Sequence, residues 1–231
     1  MNDLLKRLTS GLPQWWQHEL RRLKCRREIQ RGTFRSYEPE YLILDSLISA
    51  GDWVIDVGAN VGHYTKRFSD LVGPQGRVIA VEPVAETFSL VSANALLFQH
   101  GNVTLLNVAA SDHSGIAGMQ VPRLETGLSN YYQARLSGGS TDRHVLTVRL
   151  DALALPHPIG LLKIDAEGHD PAVLRGAEAL LARDHPTLIV ETDSSEVVQH
   201  LRGLGYTNEK LPGSPNTLFR WLPHGVRGAG V

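Results

Sequence analysis

One cysteine, Cys25, is all that the 231 residues contain, so an intrachain disulfide is excluded and a reducing compartment fits. Apolar runs are short. None approaches the roughly 18–20 residues needed to span a bilayer, and no secretory signal pattern opens the chain. A cytoplasmic protein is therefore expected. Charge of one sign is also missing. The net charge of −1 gives no electrostatic footprint for a nucleic acid, and no such partner is expected. Internal repeats are absent too. The length suffices for one sizeable core, and α/β domains of this size commonly stay single.

The charge that is present is unevenly spread. Residues 1–31 carry Lys6, Arg7, Arg21, Arg22, Lys24, Arg26, Arg27 and Arg31 against Asp3, Glu19 and Glu28, a net of +5 that leaves −6 for the rest. Leu4, Leu5 and Leu8 fit one short helix. Beyond Gly11 and Pro13 a second carries a stripe of Trp16, Leu20 and Leu23. Residues 1–37 thus read as a basic amphipathic segment with two readings open. One is an anchor on an anionic membrane, peripheral at the inner membrane and near a lipid-linked substrate. The other is a lid or dimer helix that packs its stripe on the core and leaves its arginines solvated.

The stretch WVIDVGANVGHYTKRF, Trp53 to Phe68, reads as a buried strand, a glycine-bearing turn and the start of a helix. Trp53, Val54 and Ile55 form the short β-branched run of a strand covered on both faces. Asp56 ends it. Gly58 and Gly62 bracket the turn, where bare backbone lets a ligand approach. The spacing G-A-N-V-G matches neither the G-x-G-x-x-G pyrophosphate cradle nor a G-x-x-x-x-G-K-[ST] phosphate loop. About twenty residues on, RVIAVEP gives a second strand ending in Glu82, placed to accept both hydroxyls of a ribose. A nucleoside without a pyrophosphate, held by one acid, points to S-adenosylmethionine.

DVGANVG followed by VEP resembles the class I methyltransferases. With NVAASD at 107–112 and LLKIDAEGHDPAVLRGA at 161–177, the chain resembles the FkbM family specifically, over roughly residues 38–210. The resemblance implies a Rossmann-like fold, S-adenosyl-L-methionine as methyl donor and S-adenosyl-L-homocysteine as product. It assigns Asp56, Gly58 and Gly62 to the methionine-side turn, Asn60 to the amino-acid moiety, Glu82 to the ribose, and Ser111 and Asp112 to the adenine. Asp56 has a second reading, as a buried cap for turn amides. The acceptor implied is a hydroxyl on a sugar, a glycolipid or a natural product. Two other classes stay open: an N- or macromolecule methyltransferase, although an N-P-P-Y type motif is missing, and a non-catalytic donor-binding scaffold subunit. A homodimer is equally open.

Around these motifs the pattern alternates in βαβ fashion. Helices are expected at about 38–49 and 84–99, with VTLLNVA as the third strand and LLKIDAEG as the fourth. A helix then runs to about Ala182 with Asp170 as N-cap and Pro171 first inside it. TLIVETD makes the fifth strand, and a helix follows at about 194–203. GYTNEKL and NTLFRWL, joined by Pro-Gly-Ser-Pro, read as a closing antiparallel pair. The predicted fold is α/β, a mostly parallel sheet with helices on both faces over residues 38–223, its ligand beyond the carboxyl ends of the strands. Residues 224–231 read as a disordered tail. About fifty residues between Asp112 and Leu161 exceed the minimal fold, and 113–160 reads as a substrate-facing insert with GMQVP and HVLTVRL as short strands. Tyr131 and Tyr132 there either stack on an acceptor ring or pin the loop, and Gly138 and Gly139 mark a mobile tip.

A hydroxyl is a poor nucleophile at neutral pH and gains from a general base. KIDAEGHD supplies the candidates. Strand alternation puts Lys163, Asp165 and Glu167 on one side. Asp165 is the first choice for acceptor contact or base, with Glu167 and His169 next. Lys163 is expected to pair with Glu191 at the end of the fifth strand. His63, on the first turn of a helix, is either exposed or beside the donor. Asp165, Glu167, Glu191 and Asp193 form an oxygen-rich group that offers Mg²⁺ a site, yet no metal is expected to be required.

Overall fold

The structure, a computed structural model, describes residues 12–122, 129–137, 141 and 143–222, with the side chain of Tyr132 also left aside. The expected first N-terminal helix, Gly138 and Gly139, and the expected tail lie outside the described residues. In chain order the elements are α1 (Gln14–Gln30), α2 (Pro39–Ile43), β1 (Trp53–Val57), α3 (His63–Val72), β2 (Arg77–Val81), α4 (Ala85–Ala95) and β3 (Val103–Leu106). Then come β4 (Ala109–Ala110), β5 (Gly115–Gln120), β6 (Arg135–Ser137), β7 (Arg143–Val148) and β8 (Ile159–Ile164). The chain continues through α5 (Asp170–Arg175), α6 (Glu178–Asp184), β9 (Thr187–Glu191), α7 (Ser195–Gly203), β10 (Tyr206–Lys210) and β11 (Asn216–Trp221). No helix among the described residues is long and apolar enough to cross a membrane.

Seven strands form the main sheet in the order β10-β11-β9-β8-β1-β2-β3. Its pairs are parallel except where β11 meets β9 and β10. The strands are nearly continuous runs of Val, Ile and Leu because helices cover both faces. One core layer holds Ile55, Ile79, Leu162 and Val190 under α5, α6 and α7. The other holds Val54, Val78, Leu161 and Ile189 with Tyr64 and Phe68 of α3. Alternate residues of each strand thus go to opposite layers, as the pleat requires. The chain moves outward from β1 to β3, then returns to β8 on the other side of β1. That reversal opens a crevice at the carboxyl ends of β1 and β8.

Several boundaries differ from the sequence reading, each for a local reason. The third strand stops at Leu106, because Asn107 turns its side chain to the carbonyls of Glu82 and Pro83. Ala109 and Ala110 pass to a second sheet, ordered β4-β7-β5-β6, built mostly from the insert. The helix expected over 38–49 is only five residues of α2 followed by a 3₁₀ turn, Leu44–Ser46. The helix expected to run from Asp170 is broken at Gly176, where a Cβ would stand 1.9 Å from the Ser111 carbonyl oxygen. α6 restarts under the carboxylate of Asp151, which accepts from the N–H groups of Ala179 and Leu180. His169, not Asp170, holds the N-cap position of α5. Asp170 instead accepts from the N–H of Ala166 at 3.1 Å, closing the loop after β8.

α1 also departs from one of its readings. The Trp16, Leu20 and Leu23 stripe does not pack on the core: all three side chains are exposed. The buried side is Cys25, packed with Phe34, Val61 and Leu90.

Candidate active site

The carboxyl ends of β1, β2 and β8 open into a cleft walled on its far side by the insert. Gly58 and Asn60 enter it from the turn after β1, Glu82 from the end of β2, and Asp165, Glu167 and His169 from the loop after β8. Met119, Tyr131 and Leu136 of the insert form the facing wall. Met119, Ala109, Val84 and Val145 are one buried cluster, which fixes that wall to the body.

The turn after β1 is tied on both sides. Gly58 has φ of +81°, and a Cβ there would sit 2.0 Å from the Asp165 carbonyl oxygen. Bare backbone at this point admits the neighbouring chain, a role the sequence reading gave to ligand approach alone. Asn60 is also left-handed, at φ +51°, an unfavourable setting that its contacts must hold. Its N–H donates to Glu82 Oε2 at 2.7 Å. Its side-chain Oδ1 is buried without a partner among the described residues. The other oxygen of Glu82 accepts from the Val84 N–H at 2.9 Å and the Thr87 hydroxyl at 2.7 Å. Burial pushes the Glu82 carboxyl up against the pull of these bonds. With both lone pairs of Oε1 engaged, Oε2 is the oxygen with capacity left for a further donor. An orphaned Asn60 Oδ1, the free capacity of Oε2 and the apolar wall fit the amino-acid, ribose and base portions of an adenosyl amino acid.

Four residues expected at the donor do not line the cleft. Asp56 is wholly buried behind the turn. Its Oδ2 accepts from the Thr65 hydroxyl at 2.6 Å, so it braces α3 against β1 through a side chain, where the alternative reading had turn amides. Gly62 starts α3 at φ +96°, its missing Cβ making room for Val91 of α4 at 2.8 Å. Ser111 is buried with its hydroxyl 2.9 Å from His169 Nε2. Asp112 is engaged by His113 and by both nitrogens of the Arg175 fork, which hold its carboxyl down to about 2. Ser111 thus holds the His169 ring, and Asp112 bonds the Ser111 hydroxyl behind it. His63 stacks against Phe34 at 4.2 Å, away from the cleft.

At the chemical end of the cleft the expected Lys163–Glu191 pair is not formed. Lys163, only 2% exposed, binds Asp165 Oδ2 at 3.1 Å, and its ammonium lies 4.7 Å from the Tyr64 ring centroid. Burial works against that charge, but Asp165 and Asp56 outweigh it and hold the Lys163 pKa up. Glu191 is drawn to Asp165 instead. The hydrogen bond between the two carboxyls, then burial, pushes Glu191 up to about 8, so the pair carries one proton at neutral pH. Burial would raise Asp165 as well, but the Lys163 charge and the bond from Glu191 keep it below the usual range. Glu167 does not continue the strand alternation. It sits at φ +50°, and burial with the nearby Asp165 charge raises it to about 6. Oxygens of Asp165, Glu167 and Glu191 come within 4.8 Å of one another. Asp193 turns away to Lys210 at 2.6 Å and leaves the expected oxygen group. Glu191, read from the sequence as the partner of Lys163 and as one of four oxygen donors for Mg²⁺, is here the partner of Asp165.

Comparison with known proteins agrees with this architecture. The model of the Methyltransferase FkbM domain matches residues 56–207, more than half of the chain. No curated protein matches. Among solved structures, methyltransferase FkbM from Methylobacillus flagellatus KT is similar at a TM-score of 0.52 and 14% identity, over 74% of this chain and 43% of that one. The chain thus spans less than half the length of that relative. Fibrillarin from Aeropyrum pernix, with natively bound S-adenosyl-L-methionine, gives 0.48 and 14%, over 75% of this chain and 67% of that one. An rRNA methylase from Streptococcus thermophilus gives 0.47 and 12%, over 80% and 97%. At these identities the first likeness bears on the fold alone, and the other two carry no argument. By its family match the chain belongs to the FkbM methyltransferase domain family.

Proposed function

We propose that this methyltransferase transfers the methyl group to oxygen, on a hydroxyl of a sugar, glycolipid or natural product. The observation that carries the reading is Asp165, which lines the cleft, is steadied by Lys163 and is paired with Glu191 behind it. S-adenosylmethionine supplies a methyl carbon bound to a sulfonium sulfur. Attack by the acceptor oxygen forms a C–O bond as the C–S bond breaks, and the hydroxyl proton must leave. Asp165, backed by Glu191, is the group to take it. Glu167 and His169 border the same space and orient the acceptor. Much of the remaining rate comes from holding the oxygen in line with the methyl carbon at about 3 Å.

Donor binding is read by Glu82→Ala. Loss of a charge-assisted bond to the ribose is expected to weaken S-adenosylmethionine binding by about 1.5–3 kcal/mol in isothermal titration. Unchanged affinity would remove Glu82 from the donor site. The acceptor is tested by a screen of glycans, lipid-linked sugars and small polyphenols, following S-adenosylhomocysteine release. Turnover on amines or RNA with none on hydroxyls would overturn the oxygen reading.

Chemistry of this kind needs no metal, because Lys163 already balances the charge of Asp165 and the pair supplies the base. Activity is expected to survive EDTA. Loss that Mg²⁺ restores would instead make Asp165, Glu167 and Glu191 its ligands.

A further inference from the structure

α1 touches the body of the protein along one face only. Cys25 is buried there and Ile29 packs beside it. His18 reaches the Ser89 hydroxyl at 3.3 Å, and the Arg21 guanidinium stands 5.1 Å over the ring of Tyr131. At 3.6 residues per turn, Trp16, Leu20, Leu23 and Arg27 fall on the opposite face. Trp15, Trp16, Leu20 and Leu23 are 62%, 46%, 39% and 42% exposed. Large apolar side chains grouped like this on one helix are a contact surface, not scattered exposure.

The charges flanking that face decide what it contacts. Residues 14–31 carry Arg21, Arg22, Lys24, Arg26, Arg27 and Arg31 against only Glu19 and Glu28. Both acids are occupied, Glu19 by Arg22 at 2.9 Å and Glu28 by Lys24 at 3.6 Å. Arg26, Arg27 and Arg31 have no acidic partner among the described residues. A second copy docking through the same face would bring two sets of uncompensated arginines together. A surface that is apolar inside and anionic at its edge satisfies both features at once. Tryptophan suits the boundary between the two.

We propose that α1 lies in the plane of an anionic lipid bilayer, with Trp15, Trp16, Leu20 and Leu23 in the headgroup–acyl boundary and Arg26, Arg27 and Arg31 on the lipid charges. On its body side the same helix borders the cleft, since Arg21 rests on Tyr131, which lines it. The interaction is independent of which atom is methylated.

The test is sedimentation of the full chain with vesicles, with no methyl acceptor present. Vesicles of phosphatidylcholine alone are compared with vesicles one-third phosphatidylglycerol (about 33%, chosen for a strong surface charge). Binding is expected only to the anionic vesicles, with a blue shift in tryptophan fluorescence, and it should fade at high salt. Arg26→Gln and Arg27→Gln are each expected to weaken it about fivefold. Trp16→Ser with Leu23→Ser should weaken it on the order of tenfold or more. All four side chains point away from the body, so donor affinity serves as the check that each variant is folded. Absence of binding to anionic vesicles at low salt, or variants that bind like the parent, would overturn the proposal. A concentration-dependent dimer that Trp16→Ser abolishes, without vesicle binding, would assign the face to a second copy and overturn it too.

Discussion

Replacing Asp165 by Asn is expected to lower kcat by about 10²–10⁴ while leaving donor affinity nearly unchanged. The amide keeps the shape and still offers Lys163 an oxygen, so the fold and the turn at Gly58 are spared. What it loses is the ability to accept a proton. On the mechanism proposed above, the reactive form of the Asp165–Glu191 pair is the unprotonated one. The pair gives up its shared proton near the raised value of Glu191, about 8. Turnover should therefore rise with pH below that point and level off above it, the sense expected for a base rather than an acid. Glu191→Gln removes the second proton site. It should erase that alkaline limb and leave a lower, flatter profile at neutral pH. Full turnover in Asp165→Asn would dismiss the residue from the chemistry, and an unaltered pH profile in Glu191→Gln would break the pair.

Lys163→Met is expected to cost about 3–5 kcal/mol of stability, read by urea unfolding with and without donor. The side chain is 2% exposed and sits between Asp165 and the wholly buried Asp56. Methionine fills much of the volume, so a cavity contributes little. The loss comes from charge: burial already raises the Asp56 carboxyl against the pull of Lys163, and removing the ammonium leaves both Asp56 and the bonded Asp165 without their cation. Asp56→Asn should recover part of the loss, because a neutral amide no longer needs the cation. A Lys163→Met protein as stable as the parent would show that Asp56 is held neutral in the fold.

Strand and helix order was legible in the sequence because period and punctuation carry it. The short runs rich in Val, Ile and Leu at 54–57, 78–81 and 161–164 announced buried strands, and the glycines around Asn60 marked the turn. Family motifs added the donor, and the carboxylates after β8 marked the chemical end. Those features depend on residues near one another in the chain. The places where the reading failed depend on residues far apart. Gly176 breaks a helix because the Ser111 backbone arrives beside it from 65 positions earlier. Glu82 spends one oxygen on its own strand's turn and part of the other on Asn60. Asp112 is claimed by Arg175, 63 positions on. Lys163 is the exception: it takes Asp165, its neighbour on the same side of the chain, over Glu191.

By itself, then, the sequence determined the α/β order and the glycine turn after β1, since hydrophobic period and local dihedral preference act over a few residues. The tertiary structure alone decided which carboxylate meets the lysine, which carboxyls share a proton, and that the tryptophans of α1 face outward. Each of those outcomes is a competition among partners that only packing brings within a few ångströms, where a buried charge or an unpaired oxygen costs enough to select one arrangement.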